Sequence, residues 1–72
     1  KVEALEFIIR SETRYTDVPL KDLSLKSNNL IACIARKRQI IIPGGDDCMK
    51  PGDSVIVVTM DQHIEDIEDI LL

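Results

Sequence analysis

Apolar residues along the chain fall into short runs rather than long periodic stretches, and most of those runs have strand length. In the segment Val2 to Arg10, Leu5, Phe7 and Ile9 alternate with Ala4, Glu6 and Ile8, which predicts a strand with one well-buried face. The stretch "SETRYTD" then supplies polar, turn-forming residues. In "VPLKDLSLK", Pro19 stands where a first helical turn tolerates it, with Leu20 and Leu23 at helical spacing, so one or two turns of helix are expected. Ser27-Asn28-Asn29 punctuates the chain again.

"LIACIAR" (Leu30 to Arg36) is a continuous apolar run of strand length, "KRQ" a tight polar connection, and "IIIP" (Ile40 to Pro43) the returning strand of a hairpin. "SVIVVTM" (Ser54 to Met60) is the clearest strand, β-branched almost throughout. The tail "DQHIEDIEDILL" changes period. Ile64, Ile67, Ile70 and Leu71 form a stripe at helical spacing, acidic residues occupy the remainder, and Thr59 with Gln62 has the spacing of a capping box. The expected fold is α+β: a small sheet of about four strands with one short helix and a C-terminal helix. Residues 1–72 read as a single domain with no repeat or linker.

Composition adds a partner to this picture. Seventy-two residues bury only about 60% of their unfolded surface, yet 44% of them are hydrophobic. One Phe, one Tyr and no Trp make the core aliphatic. That surplus implies association, most simply with a second copy. A net charge of −4, and a basic trio Arg36-Lys37-Arg38 without interleaved aromatics, argue against nucleic acid. No apolar run approaches the ~18 residues that span a bilayer, so direct membrane insertion is not expected. The chain starts at Lys1 rather than Met, as a piece of a longer protein does. Cys33 and Cys48 do not make a disulfide framework, which fits a reducing cytosol.

The loop "PGGDDCMKPGD" concentrates the residue types that phosphate and metal sites use. A Walker loop needs Lys and Ser/Thr beside its glycines and a helix after them, whereas Gly44-Gly45 leads into acids and a strand follows Gly52. Asp46, Asp47 and Asp53 are calcium-type ligands, but not in the alternating order of an EF-hand. A bend accounts for every residue. Pro43 ends a strand, Gly44 and Gly45 take positive φ, Asp46 and Asp47 cap the turn, Pro51-Gly52 occupies the centre of a type II turn, and Asp53 bonds unpaired amides. His63 is the only histidine, expected on the polar face of the last helix, and neither a zinc site nor a nucleophilic set on Cys48 or Ser54 has the partners it needs. Arg36-Lys37-Arg38 reads as a solvated hairpin turn. No enzyme is indicated.

The order of segments nevertheless resembles the C-terminal regulatory domain of Trk-type potassium uptake proteins, the RCK C-terminal (TrkA-C) family. Leu20 and Leu23 stand at the leucines of its "G-K-x-L-x-x-L" segment, Arg36 at its strand end, Pro43 at its "I-I-x-P", and Gly52-Asp53 at its "G-D-x-V-x-V". Val18-Pro19 replaces the family's Gly-Lys. The resemblance implies a cytoplasmic, non-enzymatic domain that forms a homodimer and follows a nucleotide-binding Rossmann-like domain in the parent chain. Such an assembly, peripheral at the inner face of the membrane, gates a membrane-embedded potassium transporter subunit. Some members bind cyclic di-AMP at the dimer interface. Carried over, the contact positions are Leu20 beside Lys21, Lys26, Asn29 or Leu30, and Pro43, of which Leu20 and Pro43 match the family pattern well. Lys26 keeps the charge of the family's Arg but not its planar fork.

Overall fold

The computed structural model describes residues 1–72. Four strands, β1 (Glu3–Ile8), β2 (Asn29–Arg36), β3 (Gln39–Ile41) and β4 (Ser54–Thr59), form one sheet in the order β1-β4-β2-β3, antiparallel at every pair. The most β-branched segment is the one with neighbours on both sides along its length. In β4 burial alternates, with Val55, Val57 and Thr59 inward. Leu5 stands opposite Val57 and Phe7 opposite Val55, so the alternation read in β1 continues onto the same face.

β2 does not alternate, and the reason is a bulge. Ile31 pairs with Val57, but Cys33 pairs with Ile56, which leaves Ala32 as an extra residue. The slip brings both Ile31 and Ile34, three apart, onto the inner face, where they are 7% and 0% exposed. A hairpin turn at Lys37 and Arg38, with Lys37 at φ 55°, returns the chain to β3. The strands expected from the apolar runs are therefore all present, each within about two residues of its expected ends.

The helices are not. Leu20–Asp22 is a single 3-10 turn. The C-terminal helix expected over 61–72 is reduced to one 3-10 turn at Ile67–Ile70, so the fold is a four-stranded antiparallel sheet with loops and two short turns. His63 adopts φ 65°, a left-handed conformation that no α-helix admits. The Thr59–Gln62 box does not form: Thr59 ends β4, and its Oγ1 accepts from the Asp61 amide at 2.9 Å. Asp66 and Asp69 make the capping box instead, with Asp66 Oδ1 accepting from the Ile67 amide and Asp69 Oδ2 from the Asp66 amide.

Three effects account for the difference. A spacing of three is also the period of a 3-10 turn, so Ile67 and Ile70 are buried together either way. A helix of about a dozen residues is marginal by itself, and Ile lowers its propensity. The last residues instead find backbone partners in residues 24–26. Lys26 N–H donates to the Ile70 carbonyl at 2.8 Å, Leu72 N–H donates to Ser24 O at 2.9 Å, and Leu25 bridges to Leu71.

The core thus lies between the inner sheet face and three irregular segments that carry Tyr15, Met49, and Ile67 with Ile70 and Leu71. The opposite face has no layer over it. Leu30 and Ile40 there are 60% and 66% exposed.

Ile70→Ala should destabilise the chain by about 2–5 kcal/mol through the cavity it leaves. Leu72→Ala, at a side chain 76% exposed, should change stability by no more than about 0.5 kcal/mol. Urea unfolding of the two variants checks this pair.

Candidate functional site

Between β3 and β4 the acidic loop is a built bend. Asp47 Oδ2 accepts from the Gly44 amide at 2.7 Å, and Asp46 pairs with Lys21 at 2.8 Å on the surface. Lys50-Pro51-Gly52-Asp53 closes with an Asp53 N–H to Lys50 O bond of 3.1 Å and Gly52 at φ 94°, the pattern of a type II turn. Positive φ was expected at Gly44 and Gly45, and Gly52 alone among the glycines has it. Gly45 is needed for a different reason: a Cβ there would sit 3.1 Å from the Lys21 Cβ, and its carbonyl accepts from the Lys21 amide at 2.9 Å.

Arg36 is not part of a solvated turn. Its Nε and Nη2 grip the two oxygens of Asp53 at 2.9 Å each, and Nη2 also donates to the Cys48 carbonyl at 2.8 Å. The Lys50 amide adds a bond to Asp53 Oδ2 at 2.8 Å. Asp53 is fully buried and Arg36 about three-quarters so. Burial by itself raises the pKa of Asp53, but the Arg36 and Lys50 hydrogen bonds and the nearby positive charges outweigh it, and the carboxyl is held below its ordinary range. The hydrogen bond to Asp53, with the charge of that carboxylate, raises the pKa of Arg36 against the opposing effect of burial. Both residues carry the family resemblance, one at a strand end and one before a strand, yet nothing in their spacing of seventeen pairs them.

A cavity of about 240 Å³ opens beside β2. Leu20, Leu23 and Leu25 form one wall, Pro43, Gly44 and Gly45 another, and Leu30 with Ile31 the floor. β3 pairs only with residues 34–36, so the outer edge of β2 from Asn29 to Cys33 has no neighbouring strand. The Met60 N–H to Asn28 O bond sets the phase of the β2–β4 ladder. Leu30 therefore bonds to Val58, while the N–H and C=O of Ile31 point away from β4, toward the cavity side. The cavity thus presents one backbone donor and one acceptor between apolar walls.

Of the positions carried over from the resemblance, Leu20 and Pro43 meet in this cavity and Lys26 does not line it. Lys26 is exposed, and its backbone is committed to Ile70 and to the Asn29 side chain. Asn29 donates to Asp61 Oδ2 at 2.7 Å, while its buried Oδ1 has no partner. Lys21, carried over as the neighbour of Leu20, is the cation among the lining residues, and Leu30 lines the cavity as well. Cys33 and Cys48 are both free and half-buried, and His63 is exposed.

Across residues 4–72 the chain matches the model of the TrkA-C domain. The chain belongs to the TrkA-C family. That family is regulatory and non-enzymatic. Among curated proteins, the TrkA-C chain is 36% identical over 70 residues to the Trk system potassium uptake protein trkA homolog 1 of Methanosarcina mazei, a match that covers 97% of this chain and 17% of that protein. Homolog 2 of the same organism is 34% identical over 70 residues, covering 97% and 16%. The homolog of Archaeoglobus fulgidus is 34% identical over 65 residues, covering 90% and 15%. The chain therefore spans about a sixth of the length of these relatives. No helix of this TrkA-C domain is long and apolar enough to cross a membrane.

Replacing Arg36 with Leu strands a buried carboxylate and should cost about 3–5 kcal/mol. Because the folded pKa of Asp53 is depressed, its contribution is present in full above the unfolded carboxylate range near pH 4 and is lost as the pH falls through the lower folded value. Denaturant midpoints measured from pH 6 down to pH 2 should therefore fall less steeply in Asp53→Asn than in the wild type.

Proposed function

We propose that this TrkA-C domain is the cytosolic regulatory and dimerisation domain of a potassium uptake system, controlling cation transport by a membrane-embedded subunit to which its parent chain is attached. The observation that carries this reading is the match over nearly the whole chain to a regulatory domain, shared with proteins named for potassium uptake. An aliphatic surplus left at the surface, with Leu30 and Ile40 more than half exposed, supports pairing with a second copy. Pairing of domains in a parent assembly gives regulation its physical basis, because a ligand or partner that favours one arrangement shifts the transporter's equilibrium by its differential affinity. Potassium uptake by cells expressing the full-length parent protein should lose its regulation when residues 4–72 are deleted. Uptake that responds to external potassium as before would overturn the reading.

A second reading is favoured by the cavity. Leu20 and Pro43 lie in it together, beside an unpaired strand edge that offers a donor and an acceptor to a planar ligand such as cyclic di-AMP. Lys21 in place of Lys26 then supplies the charge for an anion, in competition with Asp46. At about 100 times its dissociation constant, a ligand of the folded form adds roughly 2.7 kcal/mol. That moves the melting midpoint of a small domain by more than ten degrees, at about 4–8 °C per kcal/mol. Cyclic di-AMP should produce such a shift in the wild type and a much smaller one in Leu20→Glu. A flat melt at millimolar cyclic di-AMP would remove this ligand and leave the regulatory reading standing.

A further inference from the structure

Strands β1 and β2 end where β4 begins, since Ser54 stands between Ile8 and Ala35 in the register. Five of the chain's nine Lys and Arg gather at that end of the sheet: Arg10 just past β1, Arg36 closing β2, Lys37 and Arg38 in the hairpin turn, and Lys50 in the turn before β4. Backbone bonds from Ile9 to Gly52 and Asp53 keep Arg10 beside the last of these turns. The acids among them are already engaged. Asp53 holds Arg36, Asp47 accepts from the Gly44 amide, Glu12 from the Thr16 hydroxyl, and Asp17 pairs with Lys50 at 2.7 Å. Arg10, Lys37 and Arg38 have no carboxylate partner. A cavity of about 450 Å³ opens here, lined by Asp17, Arg36, Lys37, Lys50 and the Pro51–Asp53 turn. Apart from the Pro51 ring its wall is polar, and it shares no residue with the cavity beside β2.

We propose that this second cavity is an anion site that takes a phosphate group borne on a small polar body, as in pyrophosphate or a sugar phosphate. Arg36 spends Nε and Nη2 on Asp53 and the Cys48 carbonyl, which fixes the guanidinium and leaves Nη1 over. A donor held in place this way loses little freedom on binding. Lys37 stands at φ 55°, a left-handed conformation that costs a lysine backbone strain and that Gly or Asn adopts more easily. The turn thus carries a charge where its own stability favours a neutral residue. Lys50 is bound to Asp17, with both side chains about half exposed. Surface pairs of this kind are weak, so Lys50 turns to an incoming phosphate at little cost.

The lining also sets the class of ligand. Two lysines and a guanidinium suit a multiply charged oxyanion better than a single carboxylate. No aromatic or aliphatic side chain is present to stack on a base or to bury an apolar body. Asp53 is neutralised by its three hydrogen bonds, which leaves Asp17 as the lining group that opposes an anion. The site stands independently of the regulatory reading of the chain.

Titration calorimetry of the 72-residue chain, which has its own core, with pyrophosphate at low ionic strength tests this. Stoichiometric binding is expected. Lys37→Asn should weaken it by about fivefold while melting no lower than the wild type, because Asn suits the left-handed position. Asp17→Asn should tighten it by about fivefold, since it removes the opposing carboxylate and releases Lys50. Asp17 has φ 60°, which Asn also tolerates, and a purely structural pair would give no such gain. Lys1→Gln removes a charge at the far end of the sheet and should change nothing. Vesicles containing phosphatidic acid distinguish the source of the phosphate. Capture of the wild type that falls in Lys37→Asn and rises in Asp17→Asn, without heat from pyrophosphate, would place the group on a lipid in the same site. Equal binding by the wild type, Lys37→Asn and Asp17→Asn, or an equal loss in Lys1→Gln, would overturn the site in favour of diffuse attraction. Absence of binding to either probe at several millimolar would overturn it outright.

Discussion

A single antiparallel sheet has two faces to keep from water, and the residues left over in a chain this short cover one of them. Everything else in the structure follows from how that coverage is arranged. No α-helix is available as a second layer, so the inner face is closed by loops, each carrying one or a few large side chains into the core: Tyr15 from the first, Met49 from the acidic bend, and Ile67 with Ile70 from the tail. Loops of this kind hold their places only if their backbone is bonded, since they have no ladder of their own. The bonds are supplied singly. Lys21 N–H reaches Gly45 O, Asp17 N–H reaches Met49 O, and Lys26 N–H reaches Ile70 O.

The Arg36–Asp53 pair is the strongest of these ties. It joins the end of β2 to the turn before β4 and, through the Cys48 carbonyl, to the loop that delivers Met49. A buried pair of this sort owes its net value to satisfied hydrogen bonds, and Asp53 accepts three. It gives the acidic loop a structural role. The aspartates that resemble calcium ligands in the sequence are occupied with Arg36, Lys21 and the Gly44 amide.

The cavity beside β2 and the bare outer face are two consequences of the same shortage of chain. β3 is three residues long and leaves half of β2 unpaired, which opens the cavity; no second layer exists, which bares the face. They are close but distinct. Leu30 belongs to both, since its side chain stands on the outer face while it helps form the cavity floor.

What the amino-acid pattern determined by itself was local. β-branched runs and turn residues specify β1 to β4 because strand formation depends on alternation and on breakers such as Pro43 and Gly52, all read within a few residues. The aliphatic surplus, and the family to which the segments belong, were legible for the same reason. Leu20 and Pro43 were within reach through that resemblance alone. Tertiary structure decided the rest. The tail was amphipathic at a spacing shared by helix and 3-10 turn, and its choice rested on the backbone of Ser24 and Lys26, some forty-five residues away. The bulge at Ala32 placed Ile31 and Ile34 on one face, although their spacing alone would put them on opposite faces of a regular strand. Arg36 left a basic trio to bind Asp53 because the sheet brings strand end and turn together, and Lys21 rather than Lys26 stands at the cavity because Lys26 is tied to the tail. Each of these outcomes depends on a partner far along the chain, and pairing over such distances is set by the closed sheet rather than by any short stretch of sequence.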